Sequence, residues 1–307
     1  MSVVTASRAR HDSLLRKAEA LSRQTLDADA FEWCLYLNEP ADAVASLRHR
    51  LEVRALAFRV VVDGGEVLPV GRARNQAASA ARGDVLLLSD DDCMPDPGAL
   101  AAHLALHERS DRVAGIGPLR LPEALRRGRQ REPFERTARL LGGRALWINF
   151  TGANSSVEAA HYRAVGGYDP AWSGYGGEDP EFALRLRAHG VRFRHVPLGG
   201  AVHEGRVSDD AEKAYAAGAA HVRVARRYPR SGAAWMLGVH PALLALKRAA
   251  LAGPAAALLP PSQRAYERAY AEGAVSAWRD RGDDERDARD DAVVSSTGRD
   301  DGTEVHQ

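Results

Sequence analysis

The stretch Val85-Leu-Leu-Leu-Ser-Asp90-Asp91-Asp92-Cys-Met-Pro95-Asp96-Pro97 places three consecutive aspartates shortly after four aliphatic residues. An uninterrupted aliphatic run of this kind is typical of a strand buried on both faces of a parallel sheet. Three adjacent carboxylates repel one another unless a cation or hydrogen-bond donors neutralise them. One carboxylate would be enough to cap a helix that starts near Pro97. We therefore predict that this strand ends in a site for a divalent cation, Mg²⁺ or Mn²⁺.

The residues around this stretch alternate between short apolar runs and segments with helical periodicity. We predict strands at 2–6, 31–37, 55–62 and 85–88, and helices at 12–22, 41–51, 73–81 and 97–107. Such alternation predicts an α/β fold in which helices flank a mostly parallel sheet. Ligands of these sheets bind outside the carboxyl ends of the strands. The residues that we expect at this crevice are Ser7, Arg8, Asn38, Glu39, Asp63 and Ser89–Asp92.

The second half of the chain is less regular. We predict strands at 113–119, 145–150 and 155–157, a helix at 179–189 and an extended segment at 194–197. Glu178 and Asp179 follow three glycines and occupy the first turn of the predicted helix, where the helix dipole favours negative charge. These acids either cap the helix or contribute to a site. His203 follows the extended segment, and its imidazole joins a metal site only if it reaches the aspartates.

Composition limits the classes of partner and compartment. The chain has 307 residues, 42 Lys and Arg against 41 Asp and Glu, and two cysteines. A near-neutral balance argues against nucleic acid as the partner, because nucleic-acid-binding proteins usually carry a strong basic excess. Two cysteines cannot form a disulfide framework, and residues 2–6 are too short for an apolar targeting core, so we expect a cytoplasmic protein.

Charge is unevenly distributed along the chain. Residues 279–307 carry ten acids and five arginines, a net charge of −5, which leaves +6 for the body. This segment has no apolar periodicity, and we predict a disordered acidic tail. A mildly basic body suits a negatively charged ligand or membrane surface.

Residues 231–278 are predicted to form a C-terminal helical region. Its most apolar part, 233–261, contains Lys247, Arg248 and four prolines. A membrane-spanning helix needs about 20 consecutive apolar residues, so we do not expect one here. Two interpretations stay open for this part: packed helices, or helices that lie peripherally on the inner face of a membrane.

Taken together, the motifs resemble those of the family 2 glycosyltransferases of the GT-A fold, over residues 2 to about 230. Six pieces carry the resemblance, in the family's order. The first three are the strand 2–6, the helix that ends in Leu21-Ser22-Arg-Gln24-Thr25, and the segment Gly71-Arg-Ala-Arg74-Asn75 to Gly83-Asp84. The other three are Asp90-Asp91-Asp92 as the DxD motif, Thr151-Gly-Ala-Asn154-Ser-Ser-Val157 with Val165-Gly-Gly-Tyr168-Asp169, and Glu178-Asp179 as an ED motif. The resemblance implies a GT-A Rossmann-like fold with a mixed, mostly parallel sheet and C-terminal helices. It divides the domain 1–230 into a nucleotide-sugar-binding half (1–119) and an acceptor-binding half (120–230).

The resemblance also implies a reaction and residue roles. The reaction is an inverting transfer from a nucleotide-sugar donor to a hydroxyl of a glycan or lipid-linked glycan. Asp179 is the expected general base, and Glu178 would orient the acceptor. The expected ligands of Mn²⁺ or Mg²⁺ are Asp92, His203 and Asp90. The expected nucleotide-sugar contacts are Thr5, Ser7, Arg8, Asn38, Glu39, Arg74, Asp90 and Asp91. The expected acceptor contacts are Glu178, Gly177, Trp172, Tyr175 and Asn154.

Several alternatives stay open. Leu37-Asn38-Glu39-Pro40 departs from the family, which usually has an acidic residue after its second strand, so UDP is a default for the nucleotide. A nucleotidyltransferase, or a catalytically silent protein that binds a glycan or a partner, would use a similar sheet. The arginine-rich stretch 120–139 either contacts an anionic or lipid-linked acceptor or forms a solvated helix face. The sugar, the linkage and the oligomeric state are not predicted.

Overall fold

A computed structural model describes residues 1–122, 142–204 and 210–280. The chain divides into two compact units, Met1–Ser208 and Asp209–Gln307. This division falls earlier in the chain than the domain boundary that the sequence predicts at residue 230. The predicted acidic tail beyond residue 280 and most of the arginine-rich stretch 120–139 lie outside the described residues.

The first unit is built on a mixed seven-stranded sheet and a smaller three-stranded sheet. The strands are β1 (Ser2–Ser7), β2 (Glu32–Leu37), β3 (Arg59–Gly64), β4 (Val85–Leu88), β5 (Cys93–Pro95), β6 (Val113–Ile116), β7 (Leu119–Arg120), β8 (Ser155–Glu158), β9 (Arg192–His195) and β10 (Ala201–His203). The large sheet has the order β3-β2-β1-β4-β8-β6-β9, and the small sheet has the order β5-β10-β7. In the large sheet only β8 runs antiparallel to its neighbours. The predicted mixed, mostly parallel sheet is confirmed.

Helices connect the strands, close to the predicted positions. They are α1 (His11–Ser22), α2 (Ala41–Glu52), α3 (Val70–Ser79), α4 (Ala99–Arg109), α5 (Ala159–Ala164), α6 (Glu178–Ala188), α7 (Ala211–Arg227), α8 (Ala233–Met236), α9 (Pro241–Ala252) and α10 (Pro261–Arg279). Short 3₁₀ helices occupy Ala28–Ala30, Trp147–Asn149 and Pro254–Leu258.

The core of the first unit follows from the apolar patterns of α1 and the central strands. Leu14, Ala18 and Leu21 recur at helical spacing on α1, and they are buried in one cluster with Trp33 and Leu35 of β2. β4 is buried along its whole length, as its aliphatic sequence predicts. The aspartates that follow β4 therefore start from a rigid strand in the middle of the sheet.

The small sheet brings a distant histidine beside these aspartates. β5 directly follows Asp92, and β10 pairs with it so that His203 lies opposite Cys93. The N–H of Glu204 also donates to the carbonyl oxygen of Asp92 at 2.8 Å. The sequence predicts neither strand, because three-residue strands carry no usable periodicity.

Three predicted strands differ from the structure. The strand predicted at 55–62 starts only at Arg59, because Ala55 lies in a turn with φ of +47°. The strand predicted at 113–119 divides into β6 and β7, which belong to different sheets. The strand predicted at 145–150 is wrong, since a 3₁₀ helix occupies its middle. Trp147 and Phe150 are both buried, and their spacing of three residues fits a helical turn.

The second unit is helical, as predicted for 231–278, and it includes α7 as well. α7 and α10 approach closely through two glycines. A Cβ on Gly218 would lie 2.1 Å from the carbonyl oxygen of Tyr270, and one on Gly273 would lie 2.0 Å from that of Tyr215. This packing groups α7 with the C-terminal helices. No helix in the described ranges combines the length and the apolar composition that crossing a bilayer requires.

Candidate active site

The three aspartates after β4, which we call the aspartate turn (Asp90–Asp92), point to different partners. Asp90 Oδ1 accepts a hydrogen bond from Arg74 Nη2 at 2.8 Å. Burial alone would raise the pKa of Asp90, but the Arg74 guanidinium lowers it below its usual value. Asp91 Oδ2 accepts a bond from the Ser7 hydroxyl at 2.6 Å. Burial raises the pKa of Asp91 despite this bond.

Asp92 and His203 form the group whose chemistry fits a divalent cation. Asp92 Oδ1 lies 3.4 Å from His203 Nε2 and 3.8 Å from Cys93 Sγ. Burial raises the pKa of the Cys93 thiol far above its usual range. The Asp92 oxygen and the His203 nitrogen suit Mn²⁺ or Mg²⁺, whereas sulfur is a soft ligand that these hard cations disfavour. Oδ1 of Asp90, the third expected ligand, lies 2.8 Å from Arg74 Nη2.

A buried lysine supports the aspartate turn from inside the protein. Lys17 of α1 is fully buried, and its Nζ donates to the Ser89 hydroxyl at 2.6 Å and to the carbonyl oxygens of Asp90 and Cys93 at 2.8 Å. These three acceptors satisfy all three N–H groups of an ammonium. Burial lowers the pKa of Lys17, while the nearby aspartates oppose this change. Lys17 is not among the predicted site residues, and its signal in the sequence is a charge on the buried face of α1.

Glu178 and Asp179, which we call the acid pair, begin α6 as predicted. Gly177 precedes them with φ of +86°, a conformation that favours glycine. Burial raises the pKa of Glu178 to about 7, and the neighbouring Asp179 adds to this rise. Burial also raises the pKa of Asp179, although Arg74 opposes it. The pair therefore tends to keep a proton close to neutral pH.

The Asp179 carboxylate is anchored through one of its two oxygens. Oδ1 lies 2.8 Å from the Tyr168 hydroxyl, 3.0 Å from the Gly152 nitrogen and 3.3 Å from Arg74 Nη1. Every contact described for this carboxylate falls on Oδ1. Glu178 Oε2 is likewise buried without a hydrogen-bond partner among the described residues. Each acid thus has one oxygen, Asp179 Oδ2 and Glu178 Oε2, that no described contact occupies.

Arg74 connects the aspartate turn to the acid pair. Besides its bond to Asp90, its Nη1 lies 3.3 Å from Asp179 Oδ1 and 3.7 Å from Glu178 Oε1. Its side chain is only 6% exposed. A Cβ at Gly152 would lie 2.2 Å from Arg74 Cζ, so glycine leaves the room that the guanidinium occupies. One buried cation is therefore shared by three carboxylates.

A cleft of about 600 Å³ opens beside Asp92 at the start of α1. Its volume lies in the range of small-molecule sites. Half-exposed Arg10 lines the cleft and contacts Asp92 Oδ2. Glu39 also lines it and accepts bonds from the Ala9 N–H at 2.6 Å and His11 Nε2 at 3.2 Å. The cleft thus combines cationic and acidic groups beside the metal-ligand candidates.

Three predicted ligand contacts make hydrogen bonds within the protein. Thr5 is fully buried, and its hydroxyl accepts a bond from Trp33 Nε1 at 3.0 Å. Asn38 bonds to both the N–H and the carbonyl of Leu68, at 2.5 Å and 2.7 Å. Asn154 is buried and donates to a backbone carbonyl at 2.8 Å. These polar groups organise the segments around the crevice.

The other predicted contacts differ in exposure, and Trp172 is buried. Trp172 donates from Nε1 to the carbonyl of Gly176 at 2.9 Å, whereas Tyr175 is 54% exposed. Arg8 is exposed after β1. Arg10, two residues later, is the arginine that reaches the aspartate turn.

Arg10 and Tyr168 belong to the site but are not among the predicted site residues. Arg10 directly precedes α1 at the carboxyl end of β1, which is the available signal for it. Tyr168 is fully buried and stacks on Phe182 with ring centroids 4.6 Å apart. Its segment Val165-Gly-Gly-Tyr168-Asp169 contributes to the family resemblance, but the sequence assigns it no role.

Comparisons with known proteins agree with this geometry. The family model described as glycosyl transferase family 2 matches residues 2–163, and the one described as the N-terminal domain of galactosyltransferase matches residues 132–205. The chain is 26% identical to validoxylamine A glucosyltransferase of Streptomyces hygroscopicus subsp. limoneus over 226 residues, covering 62% of this chain and 48% of that protein. The chain spans about half the length of the curated relatives it matches.

Solved structures share the fold. A mannosyltransferase from Pyrobaculum calidifontis, in complex with GDP-Man and Mn²⁺, has a TM-score of 0.67 at 16% identity, over 92% of this chain and 87% of that one. GalNAc-T7 with UDP, GalNAc and Mn²⁺ has a TM-score of 0.56 at 14% identity, over 78% of this chain and 50% of that one. These likenesses establish a GT-A fold.

Proposed function

The chain belongs to glycosyl transferase family 2, and on that basis we propose that it is an inverting, metal-dependent glycosyltransferase. It moves a sugar from a nucleotide-sugar donor to a hydroxyl of a glycan or lipid-linked glycan. The observation that carries the proposal is the position of Arg74 between the aspartate turn and the acid pair. The aspartate turn suits a cation and a diphosphate, and the acid pair suits proton transfer. Donor and acceptor chemistry thus meet across one buried side chain.

On the donor side, Asp92 and His203 hold the divalent cation. When bound, Mn²⁺ or Mg²⁺ supplies positive charge against the diphosphate that leaves. Arg10 adds a second positive charge in the wall of the cleft, where the developing negative charge is stabilised. The nucleoside occupies the part of the cleft near Glu39, and UDP is the proposed nucleotide.

On the acceptor side, Asp179 acts as the general base. Its Oδ2 takes the proton of the acceptor hydroxyl. At the same time the acceptor oxygen bonds to the anomeric carbon, on the face opposite the diphosphate. The bond from the anomeric carbon to the diphosphate oxygen breaks, and its electron pair leaves with the diphosphate. Tyr168, Gly152 and Arg74 hold Oδ1, which keeps the carboxylate oriented. Glu178, with its raised pKa, carries a proton near neutral pH and donates a hydrogen bond to the acceptor.

Product release from a donor panel tests this function. The full chain is incubated with UDP-sugars and GDP-sugars in Mn²⁺, and free nucleoside diphosphate is measured. We expect release from at least one donor, and loss of release in EDTA. A nucleotidyltransferase would instead consume a nucleoside triphosphate and release pyrophosphate. A silent binding protein would bind a nucleotide or glycan without turnover. Either of these results would overturn the proposal.

A further inference from the structure

One stretch of the second unit is cationic, whereas residues 279–307 at its end carry a net charge of −5. Residues 213–266 include eight lysines and arginines and no aspartate or glutamate. This stretch spans most of α7, all of α8 and α9, and the start of α10. A long cationic stretch without acids produces a positive potential that attracts anionic partners. The candidate active site does not use any of these residues.

The same stretch exposes large apolar side chains. Leu246 is 67% exposed, Trp235 is 54% exposed and Met236 is 38% exposed. Single exposed apolar residues are common on protein surfaces, but grouped ones mark an interaction surface.

α9 has one buried face and one exposed apolar face. Leu244 and Leu251 are buried on one face of the helix. On the opposite face, residues at helical spacing are exposed and none of them is charged. These residues are Ala242, Ala245, Leu246 and Ala249.

Trp235 lies beside the start of α9. Its indole stacks on the His240 ring, with centroids 3.7 Å apart and an interplanar angle of 17°. His240 in turn caps α9 by accepting a bond from the Ala242 N–H at 3.3 Å. Arg230 and Arg248 are exposed nearby in sequence, whereas Lys247 of α9 is paired with Glu267 of α10. Exposed aromatic and aliphatic side chains are therefore accompanied by exposed arginines.

We propose that this α9 face (Trp235, Met236, Ala242, Ala245, Leu246 and Ala249) docks on an anionic lipid bilayer. Apolar side chains with flanking arginine or lysine are the pattern of helices that lie in the plane of a membrane interface. The charge selects an anionic bilayer, since each cation near such a surface strengthens binding about fivefold. α9 is a 12-residue helix, which is too short to span a bilayer but long enough to lie on it. The inference stands on the second unit alone and is independent of the proposed activity.

Vesicle co-sedimentation of the full chain tests the proposal. We expect binding to phosphatidylcholine vesicles that contain phosphatidylglycerol, weak binding to phosphatidylcholine alone, and weaker binding in high salt. Leu246→Glu places a charge in the apolar face and should reduce binding about tenfold or more. Val53→Glu is the matched control, because Val53 is 66% exposed in the first unit. It should bind like the unmodified chain.

Fluorescence gives a second readout that does not depend on the charge variant. On anionic vesicles we expect a blue shift of tryptophan emission, which Trp235→Phe should remove while vesicle binding persists. Equal binding to neutral and anionic vesicles, or unchanged binding of Leu246→Glu, would overturn the proposal. So would a concentration-dependent dimer that Leu246→Glu dissociates in the absence of vesicle binding, since a second copy would then cover the face.

Discussion

The aspartate turn and the acid pair contain the same functional group, yet the pKa values of Asp90 in the first and Glu178 in the second shift in opposite directions. Lys17, Arg10 and Arg74 supply cationic donors to the aspartate turn. The acid pair has Arg74 alone as its described cation, and it shares that cation with Asp90. As a result, the pKa of Asp90 is lowered, whereas that of Glu178 rises to about 7.

Burial acts in the same direction in both groups, because it penalises the charged carboxylate everywhere. The difference between Asp90 and Glu178 comes from the nearest charges. Arg74 donates to Asp90 at 2.8 Å, but it lies 3.7 Å from Glu178, which also has the Asp179 carboxylate beside it. A carboxylate bonded to a guanidinium holds negative charge, whereas a buried one beside a second carboxylate keeps a proton near neutral pH and suits acid–base chemistry.

The largest expected effect is on the acid pair itself. Asp179→Asn removes the base but keeps the shape of the side chain, so we expect turnover to fall about 10³-fold. Nucleoside diphosphate affinity should change little, because the aspartate turn is intact. Steady-state kinetics and calorimetric titration with UDP measure the two effects. Exposed Asp84→Asn is the control. Near-normal turnover of Asp179→Asn would show that the base lies elsewhere.

Arg74→Met removes the connection between the two groups. Three carboxylates lose their shared buried cation, and we expect the free energy of unfolding to fall by about 3 kcal/mol. In the protein that still folds, the pKa of the acid pair should rise, which moves the acidic limb of the pH–rate profile to higher pH. Urea unfolding and the pH profile are the measurements, with exposed Arg72→Met on the same helix as the control. An unmoved pH profile would show that Arg74 does not act on the acid pair.

Asp92→Ala should affect only the aspartate turn. We expect Mn²⁺-dependent nucleotide affinity to fall about 10- to 100-fold, toward the affinity measured in EDTA. Cys93→Ala is the comparison, because its protonated thiol is not expected to bind the metal. Calorimetry with and without Mn²⁺ separates them. If both variants lose affinity equally, the assignment of Asp92 and His203 as the metal ligands is wrong.

The smallest effect concerns the proton of the acid pair. Activity of the unmodified chain should fall above about pH 7, as Glu178 loses the proton that it donates to the acceptor. Glu178→Gln keeps a hydrogen-bond donor that does not titrate, so this alkaline limb of the pH–rate profile should disappear. An alkaline limb that stays in place would mean that Glu178 does not supply this proton.

Glu178→Gln should also change how the melting temperature depends on pH. Because the folded pKa of Glu178 lies above its unfolded value, this residue loses stabilisation as pH rises through about 7. Glu178→Gln should therefore raise the melting temperature relative to the unmodified chain at alkaline pH, with little difference in acid. Thermal unfolding at several pH values measures this, and a pH-independent difference would contradict the raised pKa.

Some parts of the site could be predicted because the residues that indicate them are neighbours in the sequence. An aliphatic run followed by Asp90–Asp92, and glycines followed by Glu178 and Asp179, are visible in short windows. Trp147 and Phe150 misled the strand prediction because apolar residues three apart also occur within short apolar runs. His203 was a conditional candidate, because its role depends on reaching the aspartates and β10, which brings it there, has no periodic signal of its own.

The sequence by itself determined the mixed, mostly parallel sheet, the helices around it and the positions of the two acidic groups. Hydrophobic periodicity and helix-start chemistry are properties of neighbouring residues, so they can be read without the fold. Only the tertiary structure decided which carboxylate contacts which arginine or lysine. Arg74 on α3 reaches Asp90 after β4 and Asp179 on α6, and Lys17 on α1 reaches the aspartate turn. Distance and burial set the strength of these contacts and the direction of each pKa, and both arise from packing between segments distant in the chain.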